Sequence, residues 1–276
     1  MNPASPPVPY EPRRFQSAVP YYERFRLAYP ERLIGRVAAL LALNPGDAVL
    51  DLGTGPGFLA VPFAKLGMSV TAADPEPQML EAAAAAAQTA GVTLKLWQGG
   101  SYELTPEMGP YRLVTMGRAF HWMDRAATLA MLDHIVAPGG AVALFHDAHP
   151  VLEENRWFKI LRAVGDRYGK AQPEHAKERR ALGHRRYEPF LFASAFTELD
   201  WLSVTIRQTL TVDDIVGRAF SMHSCSPDRL GEQADAFEAD LRAALQEVSP
   251  DGSFTEIAEL VSLVARRPLE PSKRDA

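Results

Sequence analysis

Val49-Leu50-Asp51-Leu52-Gly53-Thr54-Gly55-Pro56-Gly57 is the stretch on which the reading of this chain turns. Apolar residues lead into an acid, three glycines follow at every second position, and an apolar segment begins at Phe58. The pattern is a strand, a tight turn and the start of a helix. Glycine permits positive φ and lets a ligand come close to the main chain. The amides at the start of the next helix then point at that ligand. The loop therefore has the form of a nucleotide cradle, and its details decide which nucleotide.

A dinucleotide fingerprint needs G-x-G-x-x-G. Here the glycines are Gly53, Gly55 and Gly57, and Phe58 stands where the third glycine or alanine is wanted. No Gly-Lys-Ser/Thr follows, so the P-loop pattern fails. Asp51 precedes the first glycine by two residues, where a carboxylate repels a pyrophosphate and suits a cation. Asp74 ends the next apolar run, where an acid can accept two ribose hydroxyls. A ligand with a ribose, an adenine and an amino-acid cation fits better than one carrying phosphates.

Outward from this loop the chain alternates strand and helix. Strands are expected at Ala48–Leu52, Met68–Ala73, Val92–Trp97, Tyr111–Met116 and Ala141–Phe145. Helices are expected over Glu31–Leu43, with Leu33, Ile34, Val37, Leu40 and Leu41 apolar, and over Phe58–Leu66, Glu76 to Ala90 and Arg125–Val136. Gly67 is placed to cap one helix, Pro75 to open the next, and Pro138-Gly139-Gly140 to turn the chain. This spacing means βαβ units and a largely parallel sheet. Ligands in such sheets sit beyond the carboxyl ends of the strands. Those ends carry Asp51, Asp74, residues 98–102, residues 117–122 and His146-Asp147.

Residues 1–14 are proline-rich, and Phe15 to Pro30 is dense in aromatics and arginine. Residues 1–30 are read as an arm and a short helical cap, which either packs an aromatic face on the domain or covers a ligand. Residues 31–150 form the ligand-binding core, 151–193 a charged helical insertion over the cleft, and 194–268 further strands and helices of the same domain. In that last part Phe196–Leu210 and Ser253–Ala265 read as strands, and Val212–Ser221 and Asp228–Glu247 as helices. The tail, 269–276, is polar.

A net charge of −5 argues against a general nucleic-acid binder. One cysteine, Cys225, excludes an intrachain disulfide and reads as a packing residue. No apolar run approaches the roughly 20 residues of a membrane span. The expected setting is the cytoplasm, with no membrane or nucleic-acid partner, a small-molecule substrate, and a monomer or homodimer. The run Lys177–Arg186 reads as a solvated helix face or, alternatively, a basic rim for an acidic substrate. The methionines at 116, 123, 131 and 222 read as core or pocket lining.

The segments VLDLGTGPG and AADPEPQML resemble class I S-adenosylmethionine-dependent methyltransferases. FQSAVPYYERFRLAYP, AFHWMD and DGSFTEIAELVSLVARRP are similar to a small-molecule subgroup close to the ubiquinone- and trans-aconitate-type enzymes. The resemblance implies an α/β, Rossmann-like, doubly wound seven-stranded sheet in order 3-2-1-4-5-7-6, with strand seven antiparallel, an N-terminal helical cap and a helical lid. It implies S-adenosyl-L-methionine as cofactor. Asp51, Gly53, Thr54, Gly55 and Gly57 would hold the methionine moiety, with Tyr22 and Arg26 at its carboxylate. Asp74 would bind the ribose, Pro75 and Met79 would lie beside the adenine, and Ser101 and Tyr102 at its edge. An acid is often found where Tyr102 stands. Gly117 and Arg118 would lie near the sulfonium.

The methyl group arrives activated, so the protein must align an acceptor and exclude water. His121 is the candidate base, with an ordinary pKa of about 6.5; its alternative is packing beneath the loop. Tyr21, Trp122 and His146 are the candidate substrate contacts. His146, Asp147 and His149 read as a polar loop after strand five, either solvated or available to a substrate or metal. No metal spacing is present. An alternative is a cofactor-binding protein of the same fold without methyl transfer, pericyclase-like or a scaffold. A nucleic-acid methyltransferase would carry an Asn/Asp-Pro-Pro-aromatic motif where this chain has Gly117-Arg118-Ala119-Phe120.

Overall fold

The computed structural model describes residues 19–168 and 187–268 of the 276-residue chain. The arm at 1–14, the start of the cap at 15–18, the run at 177–186 and the tail lie outside the described residues. The first half runs α1 (Val19–Phe25), α2 (Glu31–Leu40), β1 (Ala48–Leu52), α3 (Ala60–Lys65), β2 (Ser69–Asp74), α4 (Pro77–Thr89) and β3 (Lys95–Gln98). It continues with β4 (Tyr111–Gly117), α5 (Arg125–Ile135), β5 (Val136–Ala148) and α6 (Arg156–Tyr168). After residue 186 come α7 (Glu188–Phe192), β6 (Glu198–Thr211), α8 (Val212–Phe220), α9 (Ala234–Val248) and β7 (Ser253–Arg266).

The strands form one seven-stranded sheet in the order β3-β2-β1-β4-β5-β7-β6. The first five are parallel neighbours, and β7 runs antiparallel to both β5 and β6. The order reverses between β1 and β4, so the loops leaving these two strands part there and leave a crevice. Alternation along a strand decides which face each side chain serves. Val49 packs with Leu33, Ile34, Val37 and Phe63 on one face. Leu50 and Leu52 pack with Val114, Leu129 and Leu132 on the other. In β5, Ala141, Ala143 and Phe145 serve the first face and Val142 and Leu144 the second.

Three local expectations are corrected. Pro138-Gly139-Gly140 is not a turn but part of β5. Gly139 takes φ +69, and the register against β4 slips between Tyr111 and Leu113, so the glycines absorb a bulge while pairing continues. Pro77, not Pro75, occupies the first turn of α4, with Glu76 as the flanking cap residue. Leu40 is exposed, because the buried stripe of α2 runs through Leu33, Ile34 and Val37 to Leu41 and Leu40 falls at its edge.

A third apolar cluster lies beside the sheet. Trp157, Leu161 and Val164 of α6 pack with Ile215 and Phe220 of α8 and Phe237, Leu241 and Leu245 of α9. Cys225 is buried in it, and burial pushes its thiol pKa up. The part of 151–193 that is described is thus anchored by a full helix face, with Tyr187 alone among its described residues reaching the cleft. No helix among the described residues is long and apolar enough to cross a membrane.

Candidate active site

The glycine loop is built around Asp51. Its side chain emerges from β1 almost fully buried and accepts hydrogen bonds from Thr54 Oγ1 (2.7 Å), Thr115 Oγ1 (2.7 Å) and the Ala60 amide (3.1 Å). One carboxylate thus ties β1, β4, the loop and the first turn of α3. Burial raises its pKa to about 6, against the pull of Thr54, Thr115 and the Ala60 amide. Gly53 sits at φ +73, and its amide and that of Thr54 donate to Ala73 O on β2 (2.8 and 2.9 Å). A Cβ on Gly53 would stand 2.6 Å from Ala119 Cβ, so the loop passes hard against the segment after β4.

Asp74 closes β2 and faces the same loop. One oxygen accepts from the Gly55 amide (2.9 Å) and the other from the Glu76 amide (3.0 Å). Burial pushes this carboxyl, too, up to about 6; the two amides oppose the rise and nearby Glu76 and Asp51 add to it. The loop amide and the strand acid are therefore held by one another.

A cavity of about 300 Å³ opens at the crevice. One half is walled by Gly53, Gly55, Asp74, Pro75, Glu76, Met79, Ser101, Tyr102 and Glu103. The other is walled by Gly117, Arg118, His121, Trp122, His146, Asp147, Tyr187, Ser221 and His223, with Tyr22 and Arg26 reaching in from the cap. Residues 120–122 form a short turn that buries Phe120, and Asp124 accepts from the Ala127 amide to start α5, which fixes His121 and Trp122 at the rim. Trp122 meets His223 edge-on (5.3 Å between ring centres), and His146 meets Tyr187 in the same way (6.0 Å).

Four expected residues do not line the cavity. Asp51, Thr54 and Gly57 lie behind the loop, because Asp51 is consumed in holding it. Tyr21 packs on Phe220 (5.2 Å) in the third cluster, since adjacent helical residues diverge and only Tyr22 faces inward. His146, Asp147 and His149 are not a solvated loop either. His146 and Asp147 belong to β5, and His149 stacks on Phe158 (4.6 Å) while its Nε2 lies 2.6 Å from Glu256 Oε1. Asp147 pairs with Arg118; burial pushes its carboxyl up, but Arg118 and Arg26 outweigh that and hold it well below the usual range. Arg118 takes φ +55, donates to Leu27 O (2.6 Å) and lies over the Tyr29 ring (4.6 Å).

Met123 and Asp147 line the cavity, as one of the two readings of each has it, and Glu76, Glu103, Tyr187, Ser221 and His223 line it with no expectation attached to them. Ser221 and His223 follow a helix far along the chain and carry no local signal.

Residues 49–140 match the family model of a methyltransferase domain. The chain carries a methyltransferase domain. An uncharacterized methyltransferase of Mycobacterium bovis is 28% identical over 210 residues, covering 76% of this chain and 78% of its own length. Among solved structures, a SAM-dependent methyltransferase from Thiobacillus denitrificans in complex with S-adenosyl-L-homocysteine superposes with a TM-score of 0.52 at 16% identity, covering 94% of this chain and 99% of its own. The [4+2]-cyclase SpnF superposes with a TM-score of 0.54 at 14% identity, covering 96% and 100%. At such identities the two structures bear on the fold alone. In the methyltransferase domain the matched segment ends within β5, so the histidines and aromatics contributed by residues 146–223 lie outside it.

Proposed function

We propose that this methyltransferase moves a methyl group from S-adenosyl-L-methionine to an oxygen, nitrogen or carbon atom of a small molecule, in the cytoplasm. The observation that carries the reading is the two-sided cavity, with acids and a glycine loop on one side and imidazoles and aromatic rings on the other. The residues suit the cofactor. Gly53 and Gly55 leave room for close approach, and Asp74 offers a carboxylate to the ribose. Pro75 and Met79 would flank the adenine, with Ser101 and Tyr102 at its edge. Tyr22 and Arg26 would meet the amino-acid end, where Arg26 Nε is buried and has no hydrogen-bond partner among the described residues. An arginine in that condition fits an anion.

When bound, the cofactor supplies an electrophilic methyl carried on a positive sulfur. The chain supplies alignment and dryness: Trp122 and Tyr187 are flat walls that hold a planar acceptor and keep water out. His121 is proposed to take the proton when the acceptor is a hydroxyl or an NH, with His146 oriented toward the acceptor. Arg118, neutralised by Asp147, shapes the junction between the two halves. Asp51 acts one step removed, by holding the loop.

Transfer of labelled methyl to a fractionated metabolite extract in a single turnover tests the reading. A labelled small-molecule product supports it. Tight cofactor binding with no transfer to any fraction refutes it and favours the cofactor-binding alternative.

A further inference from the structure

Beneath the cavity a ring of buried charge surrounds Arg26. Arg218, on α8, donates from Nε to Phe25 O (3.1 Å) and pairs through Nη1 with Glu256 on β7. Arg118 donates to Leu27 O (2.6 Å) and pairs with Asp147 on β5. His149 stands between the two carboxylates, its Nε2 2.6 Å from Glu256 and its Nδ1 3.9 Å from Asp147. Glu256 is fully buried, and Gln208 also donates to it (2.7 Å). Two arginine–carboxylate pairs thus grip the peptide carbonyls on either side of residue 26.

The cap is pressed onto this frame. Arg26 Nη2 donates to Ser221 O (3.3 Å), at the end of the helix that carries Arg218. A Cβ on Gly217 would run into the Phe25 ring, so α1 and α8 touch backbone to ring. The charge count is uneven. Arg118 and Arg218 each have a carboxylate, whereas Arg26 has no ion-pair partner among the described residues and its Nε is orphaned. A buried cation that shares its nearest carboxylate is costly: Asp147 is already paired with Arg118, and burial lowers the Arg26 pKa against the pull of Asp147. The frame holds an excess positive charge at one fixed place on the cavity wall.

We infer that Arg218 and Glu256, neither of which lines the cavity, are positioning residues that present the Arg26 guanidinium to the carboxylate of the cofactor's amino-acid end. The inference rests on the cofactor reading above. Arg218 does this with a fork: one nitrogen meets the carboxylate behind and another meets the carbonyl in front. Lysine keeps the charge but has a single nitrogen and cannot serve both.

The test compares two ligands, S-adenosylmethionine and its decarboxylated analogue, which share the nucleoside, the sulfonium and the amine. Calorimetry on the wild type, Arg218→Lys and Glu256→Gln reads both affinities. The wild type is expected to bind the carboxylate-bearing ligand at least about tenfold tighter, as a charged hydrogen bond in a buried place warrants. Arg218→Lys is expected to lose about tenfold for that ligand while holding the decarboxylated one within about twofold, which also shows that the variant is folded. Glu256→Gln provides the same comparison should the lysine variant be unstable, and Gly217→Ala, which displaces the cap by another route, should move selectivity in the same direction. Equal loss for both ligands, or undiminished selectivity in folded variants, overturns the positioning role. A wild type that binds the two ligands alike overturns the placement of the carboxylate at Arg26 itself.

Discussion

Asp51→Asn is expected to make the protein more stable, though it removes the acid at the centre of the glycine loop. The carboxyl is nearly inaccessible to solvent and its pKa rises from 3.8 to about 6 on folding, chiefly because burial disfavours the charge. The sign follows. A carboxyl raised in the folded state adds stability below its unfolded value and loses it as pH climbs through its folded value. At pH 7.5 the ionised group therefore costs about 3 kcal/mol relative to its neutral form. Asparagine carries no charge; its carbonyl can still accept from Thr54 and the Ala60 amide, and its NH₂ can donate to Thr115, whose hydroxyl also lies 3.5 Å from Leu50 O. Allowing about 1 kcal/mol for weakened hydrogen bonds leaves a gain of about 2 kcal/mol. For a chain of this size that raises the melting temperature by roughly 4–8 °C. Between pH 7.5 and pH 5 the wild type recovers about 1.4 kcal/mol, so the gap narrows by more than half. Calorimetric melts of both proteins across this range provide the measurement. A destabilised variant, or a gap that does not change with pH, would show that the Asp51 carboxylate is not penalised by burial.

Asp74→Ala should weaken S-adenosylmethionine binding by about tenfold or more, because a charged acceptor is lost; unchanged affinity by calorimetry would remove Asp74 from the ribose. In the wild type the same affinity should fall as pH drops through about 6, where this carboxyl takes a proton and ceases to be an anionic acceptor. His121→Ala should lower turnover with a hydroxyl or NH acceptor by about a hundredfold while cofactor affinity stays within about twofold; equal turnover would make the imidazole a packing group. Gly53→Ala should cost about 1–2 kcal/mol from its positive φ alone, with the contact to Ala119 added; a wild-type melting temperature and cofactor affinity would contradict the close approach.

The centre of the sheet could be read from the chain because β1, β2 and β4 are short apolar runs closed by a glycine or an acid. Val49 to Leu52 declares both faces buried by having no polar alternation except Asp51, and Asp51 is where the periodicity misleads. From sequence it points at a ligand; in the fold it points at the first turn of α3, whose amide needs an acceptor. Pro138-Gly139-Gly140 reads as a turn because a proline and two glycines look alike in a turn and in a slipped register. Tyr21 and Tyr22 could not be told apart, since the phase of a seven-residue helix depends on what it packs against. The half of the cavity formed by Tyr187, Ser221 and His223 is assembled by tertiary contact between segments that share no motif. Sequence spacing reports the half around the glycine loop, whose pieces lie close together in the chain, and the strand-end residues Gly117, Arg118, His121, Trp122 and His146 of the other half, but not Tyr187, Ser221 and His223, which arrive from distant segments.

The position of β7 has a consequence for how the molecule comes into being. β5 and β6 are not neighbours in the sheet; β7 lies between them and bonds to both. While the chain is being synthesised, β6 has no partner strand until residues 253–266 emerge, and β5 keeps an open edge. The last strand to be made closes the sheet, and it brings Glu256 with it. Until then Arg218 lacks its carboxylate and the residues flanking Arg26 lack one of their two grips. A chain cut short of β7 would therefore lose two things at once, the strand that joins β6 to the sheet and the carboxylate that faces Arg218.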